Sequence, residues 1–233
     1  MGVVDRRATR AADVEVAMPE VQPSEDRDLV SAVEHAHQAA LAVLDDPQAS
    51  SLGAVAWLSV HLAAVDQVLY RKAERVLPEG AVRVARQRRA DHRLVQALWR
   101  LDRRLTGDVH QGAVPVARLE REVRDLLATH TEGEHDVLRA LSATLDGGEV
   151  QALVADLQRS ALRGPTRPHP DLPHGRRTSW AVCWVEGVVD RARDLMDSRP
   201  VPTPTRPPVL RRVTRWGAYG TAGSWRRQEP GER

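Results

Sequence analysis

Apolar residues recur along this chain at spacings of three and four, the period of an α-helix that buries one face. The first such run carries Val30, Val33, Ala40 and Leu44, with His37 the one polar member of the stripe. Ser24 precedes it as a helix cap, Glu25 and Asp26 stand where the helix dipole favours acids, and Asp46-Pro47 ends it. A second run, about 51–77, holds Leu52, Val55, Leu58, Leu62, Leu69 and Val76 and stops at Pro78-Glu79-Gly80. A third, about 81–105, holds Val84, Leu94, Val95, Leu98 and Leu101 and ends at Thr106-Gly107-Asp108. A fourth starts at Pro115, a good first-turn residue, and runs through Leu119, Val123, Leu126, Leu127, Leu138 and Leu141 to about Leu145. Asp146-Gly147-Gly148 separates it from a shorter helix over about 149–162. No segment alternates with the period of a strand, and there is no repeat and no glycine-rich phosphate loop.

Long helical runs joined by short connections predict antiparallel neighbours, hence an all-α, up-down-up-down four-helix bundle. The expected organisation is a flexible leader over 1–23, the bundle over 24–163 and a proline-rich loop over 164–177. A C-terminal helix over 178–199 follows, with Val182, Val185, Val189 and Leu195 on its apolar side. The stretch 200–233 reads as a disordered, Arg/Pro-rich tail.

Composition narrows this picture. The chain has no Phe and only two Tyr, so its core must come from Ala, Leu and Val, which suits helices. Lys72 is the sole lysine; arginine supplies the rest of the positive charge. From Gly164 onward there are 13 arginines against seven acids, so the tail is basic and the body mildly acidic. Such a tail reads as solvated, and nucleic-acid binding is not expected of it. The single Cys183 excludes an internal disulfide and any multi-cysteine metal site; between Trp180 and Trp184 it reads as a small buried hydrophobe. The charged N-terminus has no apolar signal region, and no stretch reads as approaching the ~18–20 apolar residues of a membrane span. The expectation is a cytoplasmic protein without a membrane partner.

The nine histidines are the candidate chemistry. Each long helix carries one near its middle: His37, His61, His92 and His130. Mid-helix positions of antiparallel neighbours lie at similar heights, so the four can meet in one layer. His35 sits off the first stripe, His110 lies in a loop, and His135 beside Glu134 reads as a surface or supporting residue. His169 and His174 lie five apart in the proline-rich loop, where ordering a flexible segment weighs against a metal. His130 and Glu134 form an HxxxE pair, which puts imidazole and carboxylate on one helical face. Helical cores build metal sites from such sets, with carboxylates and imidazoles sharing hard or borderline ions.

In these residues the chain resembles the hemerythrin-like, HHE-type cation-binding family, over roughly residues 25–163. The family pattern is a helix-one His, HxxxE on helix two, a helix-three His and HxxxE on helix four. This chain offers His37, His61, His92, and His130 with Glu134 in that order. The stretches HLAAVDQVLYRKAERVLP and ATHTEGEHDVLRAL are similar to the family's second and fourth helices. The departure is Val65, where the family has its helix-two Glu. Asp66 stands beside it, rotated by about 100°.

The resemblance implies terminal ligands His37, His61, His92 and His130, a bridging Glu134, and Asp66 as substitute second carboxylate. The implied cofactor is iron: a di-iron centre, a single ion or an empty relic. The implied partner is a small ligand such as O2, NO or peroxide, bound, stored against or sensed. No acid–base pair beyond these residues is visible, so an enzyme is not expected. The alternative is a metal-free helical scaffold derived from that fold, whose basic tail engages an acidic partner.

Overall fold

The computed structural model describes residues 29–46, 48–107, 114–171 and 179–196. The leader with Ser24, the loop around His110, His174 and the tail over 200–233 lie outside these residues. Among the described residues the fold is all-helical. Its elements are α1 (Leu29–Asp45), α2 (Leu52–Val65), a π-helical turn (Asp66–Tyr70), α3 (Arg71–Val76), α4 (Gly80–Leu105), α5 (Val116–Thr144), α6 (Gly147–Ala161) and α7 (Ser179–Met196). Where the sequence predicts one helix over 51–77, the chain makes a rod in three parts, α2, the π turn and α3.

α1 packs against α2 and α5, and α4 packs against α5 and α2. The buried apolar residues fall into two clusters. One holds Leu29, Val33, Val65, Leu69, Val84, Val137 and Leu138. The other holds Ala40, Leu44, Leu58, Leu62, Leu94, Leu98, Val123 and Leu127. α1 runs from the first cluster to the second, α2 returns, α4 runs forward and α5 returns. Each leucine fully buried in these clusters contributes about 2 kcal/mol.

Helix ends are closed by specific contacts. Asp146 and Glu149 form a reciprocal capping box at the start of α6, with Asp146 Oδ1 accepting from the Glu149 N–H at 2.8 Å. At the other end of α6, Arg191 of α7 donates to the carbonyls of Leu162 (2.9 Å) and Gly164 (2.7 Å). α7 therefore docks. A Cβ on Gly187 would stand 2.2 Å from the Arg163 carbonyl oxygen, so only glycine permits this approach.

Two expectations are corrected. Val185 and Leu195 face outward at 50% and 41% exposure, whereas Cys183, Gly187, Asp190 and Asp194 face in. α7 meets a polar segment, Thr166–His169, so its carboxylates turn inward. The stretch Leu52–Val76 is long and apolar enough by composition to cross a membrane, contrary to the reading that none approaches that length. In the fold it is the central rod, with 72% of its most apolar window buried.

Candidate metal centre

A polar layer separates the two apolar clusters. On α1 it is His37, between Val33 and Ala40; on α2 it is His61, between Leu58 and Val65. α4 supplies Gln87 and Asp91, between Val84 and Leu94, and α5 supplies His130 and Glu134, between Leu127 and Val137. All six residues are buried, and His130 and Glu134 have no exposed surface.

Three imidazoles and one carboxylate converge. His37 Nε2 lies 2.9 Å from His61 Nε2, which lies 3.4 Å from His130 Nε2. Glu134 Oε2 is 3.2 Å from His37 Nε2 and 3.5 Å from His130 Nε2, and its Oε1 is 3.3 Å from His61 Nε2. The three rings meet edge to face.

The surrounding contacts fix which nitrogen faces inward. His130 Nδ1 lies 2.6 Å from Asp91 Oδ1, so its Nδ1–H donates there and Nε2 turns to the cluster. Asp91 in turn accepts from the Tyr70 hydroxyl at 2.7 Å and from Gln87 at 3.2 Å. The second Gln87 N–H goes to the His130 carbonyl at 2.9 Å. A Cβ on Gly133 would stand 2.1 Å from Gln87 Oε1. A glycine in mid-helix costs about 1 kcal/mol against alanine; here it seats Gln87. His37 Nδ1 is 3.3 Å from Thr131 Oγ1, whose own proton goes to the Leu127 carbonyl, so His37 also presents Nε2 inward.

Electrostatics follow from burial and charge. Burial alone would lower the pKa of His130, but Glu134 and Asp91 overcome it and raise the ring to about 10. His37, dominated by burial, falls to about 4 despite Glu134. Burial pushes the Glu134 carboxyl up, yet the surrounding imidazoles of His61, His130 and His37 hold it well below the usual carboxylate range. Tyr70, fully buried beside Asp91 and Glu134, is pushed well above its ordinary value.

The residues fit a cation. Neither Glu134 oxygen has a hydrogen-bond partner of acceptable geometry, although the side chain is fully buried. The N···N and N···O separations of 2.9–3.5 Å match the edges of a coordination polyhedron. Bonds of about 2.1 Å give edges of about 3.4 Å in a tetrahedron and about 3.0 Å in an octahedron. The group His37, His61, His130 and Glu134 can hold a metal ion.

Two expected ligands stand elsewhere. His92 is half-exposed and bonds Gln96 at 2.9 Å; one residue along a helix is a rotation of about 100°, and α4 turns Asp91 inward instead. Asp66 accepts from Arg88 Nε at 2.6 Å, and the same guanidinium also holds Glu74. Its charge is already met outside the cluster. Val65, at the position of the family's second carboxylate, has no exposed surface and packs with Leu69 and Leu138.

Asp91, Gln87, Tyr70 and Thr131 join the site without having been expected from the sequence. Gln87 and Asp91 stand eleven and seven residues before Leu98, on its stripe, and that periodicity is the signal that could have found them. Tyr70 had none, because a π turn widens one turn of the helix and shifts the phase of the residues beyond it. His35 is exposed and His135 lies 3.4 Å from Glu34, both away from the cluster. Compared with family models, with curated proteins and with solved structures, the chain finds no match.

Proposed function

We propose that this chain is a four-helix-bundle metal protein that holds one transition-metal ion on His37, His61, His130 and Glu134. The observation that carries the reading is the fully buried, unpartnered Glu134 carboxylate facing three inward ε-nitrogens at coordination-edge distances. A single ion is favoured over two because Val65 is apolar and Asp66 is bound to Arg88. Imidazole with carboxylate suits iron, zinc or manganese; the resemblance to hemerythrin-like proteins favours iron, and with it the handling or sensing of O2, NO or peroxide.

Iron or manganese held by these four residues would supply a redox-capable Lewis acid, and zinc a Lewis acid alone. The chain's own residues do the rest. Asp91, held by Tyr70 and Gln87, fixes the His130 ring and its tautomer. Thr131 does the same for His37. The two apolar clusters keep bulk water from both sides of the layer.

One observation favours a second reading, a metal-free scaffold. His130 lies between Asp91 at 2.6 Å and Glu134 at 3.5 Å, so a protonated ring can balance the carboxylates without an ion. Anaerobic Fe(II) loading of the purified chain, followed by metal analysis and titration with NO, separates the two. The metal reading expects about one iron per chain, a visible absorption change on NO addition, and loss of both in Glu134→Gln. A folded chain that retains no metal, or retains it unchanged in Glu134→Gln, leaves the scaffold.

A further inference from the structure

A second His–carboxylate group lies outside the buried layer, where the segment after α6 meets α7. His169 Nε2 is 2.9 Å from Asp190 Oδ2 and 3.9 Å from Glu186 Oε2. One ligand atom from each of the three residues lies within 4.8 Å of the others. Glu186 and Asp190 are four apart on α7, so both carboxylates project from one face.

Asp190 is the unusual member. It has no exposed surface, and while Oδ2 meets His169 and the Arg167 backbone N–H at 3.0 Å, Oδ1 has no partner at all. Burying a carboxylate oxygen unpaired is costly. The hydrogen bonds of the nearby guanidinium groups go elsewhere, Arg167 to Asp194 at 3.1 Å and Arg191 to the carbonyls of Leu162, Gly164 and Gly187, although Arg191 and Arg193 are close enough to act on Asp190 and His169, respectively, through space. His169 and Glu186 are 22% and 32% exposed at their side chains, which leaves an entry path for an ion and room for water as a further ligand.

We propose that His169, Glu186 and Asp190 form a second, mononuclear site for a divalent cation of zinc type. One imidazole nitrogen and two carboxylates form an open, three-residue donor set that zinc accepts. The site is a latch. It ties the segment Pro165–His169 to α7, and residues of that segment line, together with Asp66 and Asp91, a cavity of about 50 Å³. Asp91, the residue that fixes His130, therefore shares a cavity with the latch segment. The site does not depend on the buried layer holding a metal.

The test uses the full chain stripped with chelator and titrated with Zn(II), read by calorimetry and by metal analysis after desalting. In a His37→Ala/Glu134→Gln background that keeps its helical circular dichroism, one zinc per chain remains. Adding His169→Ala or Asp190→Asn weakens that zinc by at least 100-fold. Loss in the latch variants with retention in the His37→Ala/Glu134→Gln chain supports the latch even if the buried layer proves empty. A folded His37→Ala/Glu134→Gln chain that binds no zinc, or binds it equally well after His169→Ala, overturns the latch. If that background does not fold, hydrogen exchange on the otherwise unaltered chain decides. Zinc protects the amides of 166, 167 and 169, and the protection vanishes in His169→Ala; equal exchange with and without zinc overturns the proposal.

Discussion

Among the described residues, two histidine–carboxylate clusters use the same i, i+4 spacing, and they are set in opposite surroundings. The first, His130 with Glu134, lies between two apolar clusters and is sealed from water. The second, His169 with Glu186 and Asp190, sits at the surface between a proline-containing segment and α7, with two of its three side chains partly exposed. In the first, the residues that orient His130 are fixed by further contacts: Asp91 by Tyr70 and Gln87, Gln87 by the space at Gly133. In the second, only Asp190 is deeply held. Burial raises the stakes of each charge, because an ion in a dry layer has no water to fall back on when a partner is removed. The deep cluster is therefore where a substitution costs most, and the peripheral one is where an ion can come and go.

Deleting one imidazole from each cluster should have the largest and most unequal effects. His130→Ala strands Glu134 as a buried charge and should cost about 3–5 kcal/mol in urea unfolding. His169→Ala removes a partly exposed ring and leaves Asp190 the Arg167 N–H, so it should cost less, about 1–2 kcal/mol. Equal losses would mean that the deep layer is not dry. Next in size is Val65→Glu, which places an unpaired carboxyl in the apolar cluster beside the layer. It should destabilise the metal-free chain by about 2–4 kcal/mol, measured in the same way. A neutral outcome would imply that α2 can offer a second carboxylate after all.

Asp91→Asn keeps the shape but removes the charge that holds His130 Nδ1–H. Metal affinity at the deep cluster should fall about 10–100-fold while helical content stays unchanged in circular dichroism. Unchanged affinity would reduce Asp91 to a packing residue.

The pH profile of metal-free stability comes next. His37 titrates at about 4 when folded against 6.5 unperturbed, so between those values the unfolded chain takes up a proton that the folded chain refuses, and stability falls as pH drops. Glu134, held low, adds to that loss as its folded pKa is approached. His130 acts oppositely: its stabilisation is complete below 6.5 and is lost as pH climbs through about 10. Chemical unfolding across pH should therefore show maximal stability near pH 6.5. The smallest effect belongs to His92→Ala, which should leave metal stoichiometry unchanged and stability within about 0.5 kcal/mol.

Much of the deep cluster was legible because helical periodicity is a strong constraint. His37 lies four after Val33, His61 three after Leu58, and Glu134 four after His130, so each falls on a stripe already defined by apolar neighbours. His92 failed by a single residue. Leu94, Val95, Leu98 and Leu101 span a face broad enough to admit either 91 or 92, so periodicity alone does not choose between Asp91 and His92. Asp66 failed for another reason: a neighbouring carboxylate reads as a ligand until the cation that claims it, Arg88, is known to be close. The π turn and the seat of Tyr70 had no sequence signal.

α7 teaches a separate lesson. Its apolar residues recur at helical spacing, which establishes that its two faces differ but not which one packs. The partner decides that. Because Thr166, Arg167 and His169 present polar groups, Asp190 and Asp194 turn inward and Val185 and Val188 remain outside.

The most direct test of the central claim is X-ray absorption on the His169→Ala chain, with the peripheral cluster disabled, after anaerobic loading with Fe(II). One iron per chain is expected in a shell of about three imidazoles and a carboxylate, with the imidazole signal lost in His37→Ala/Glu134→Gln. Iron that is absent from the folded chain, or bound without imidazole, would contradict it.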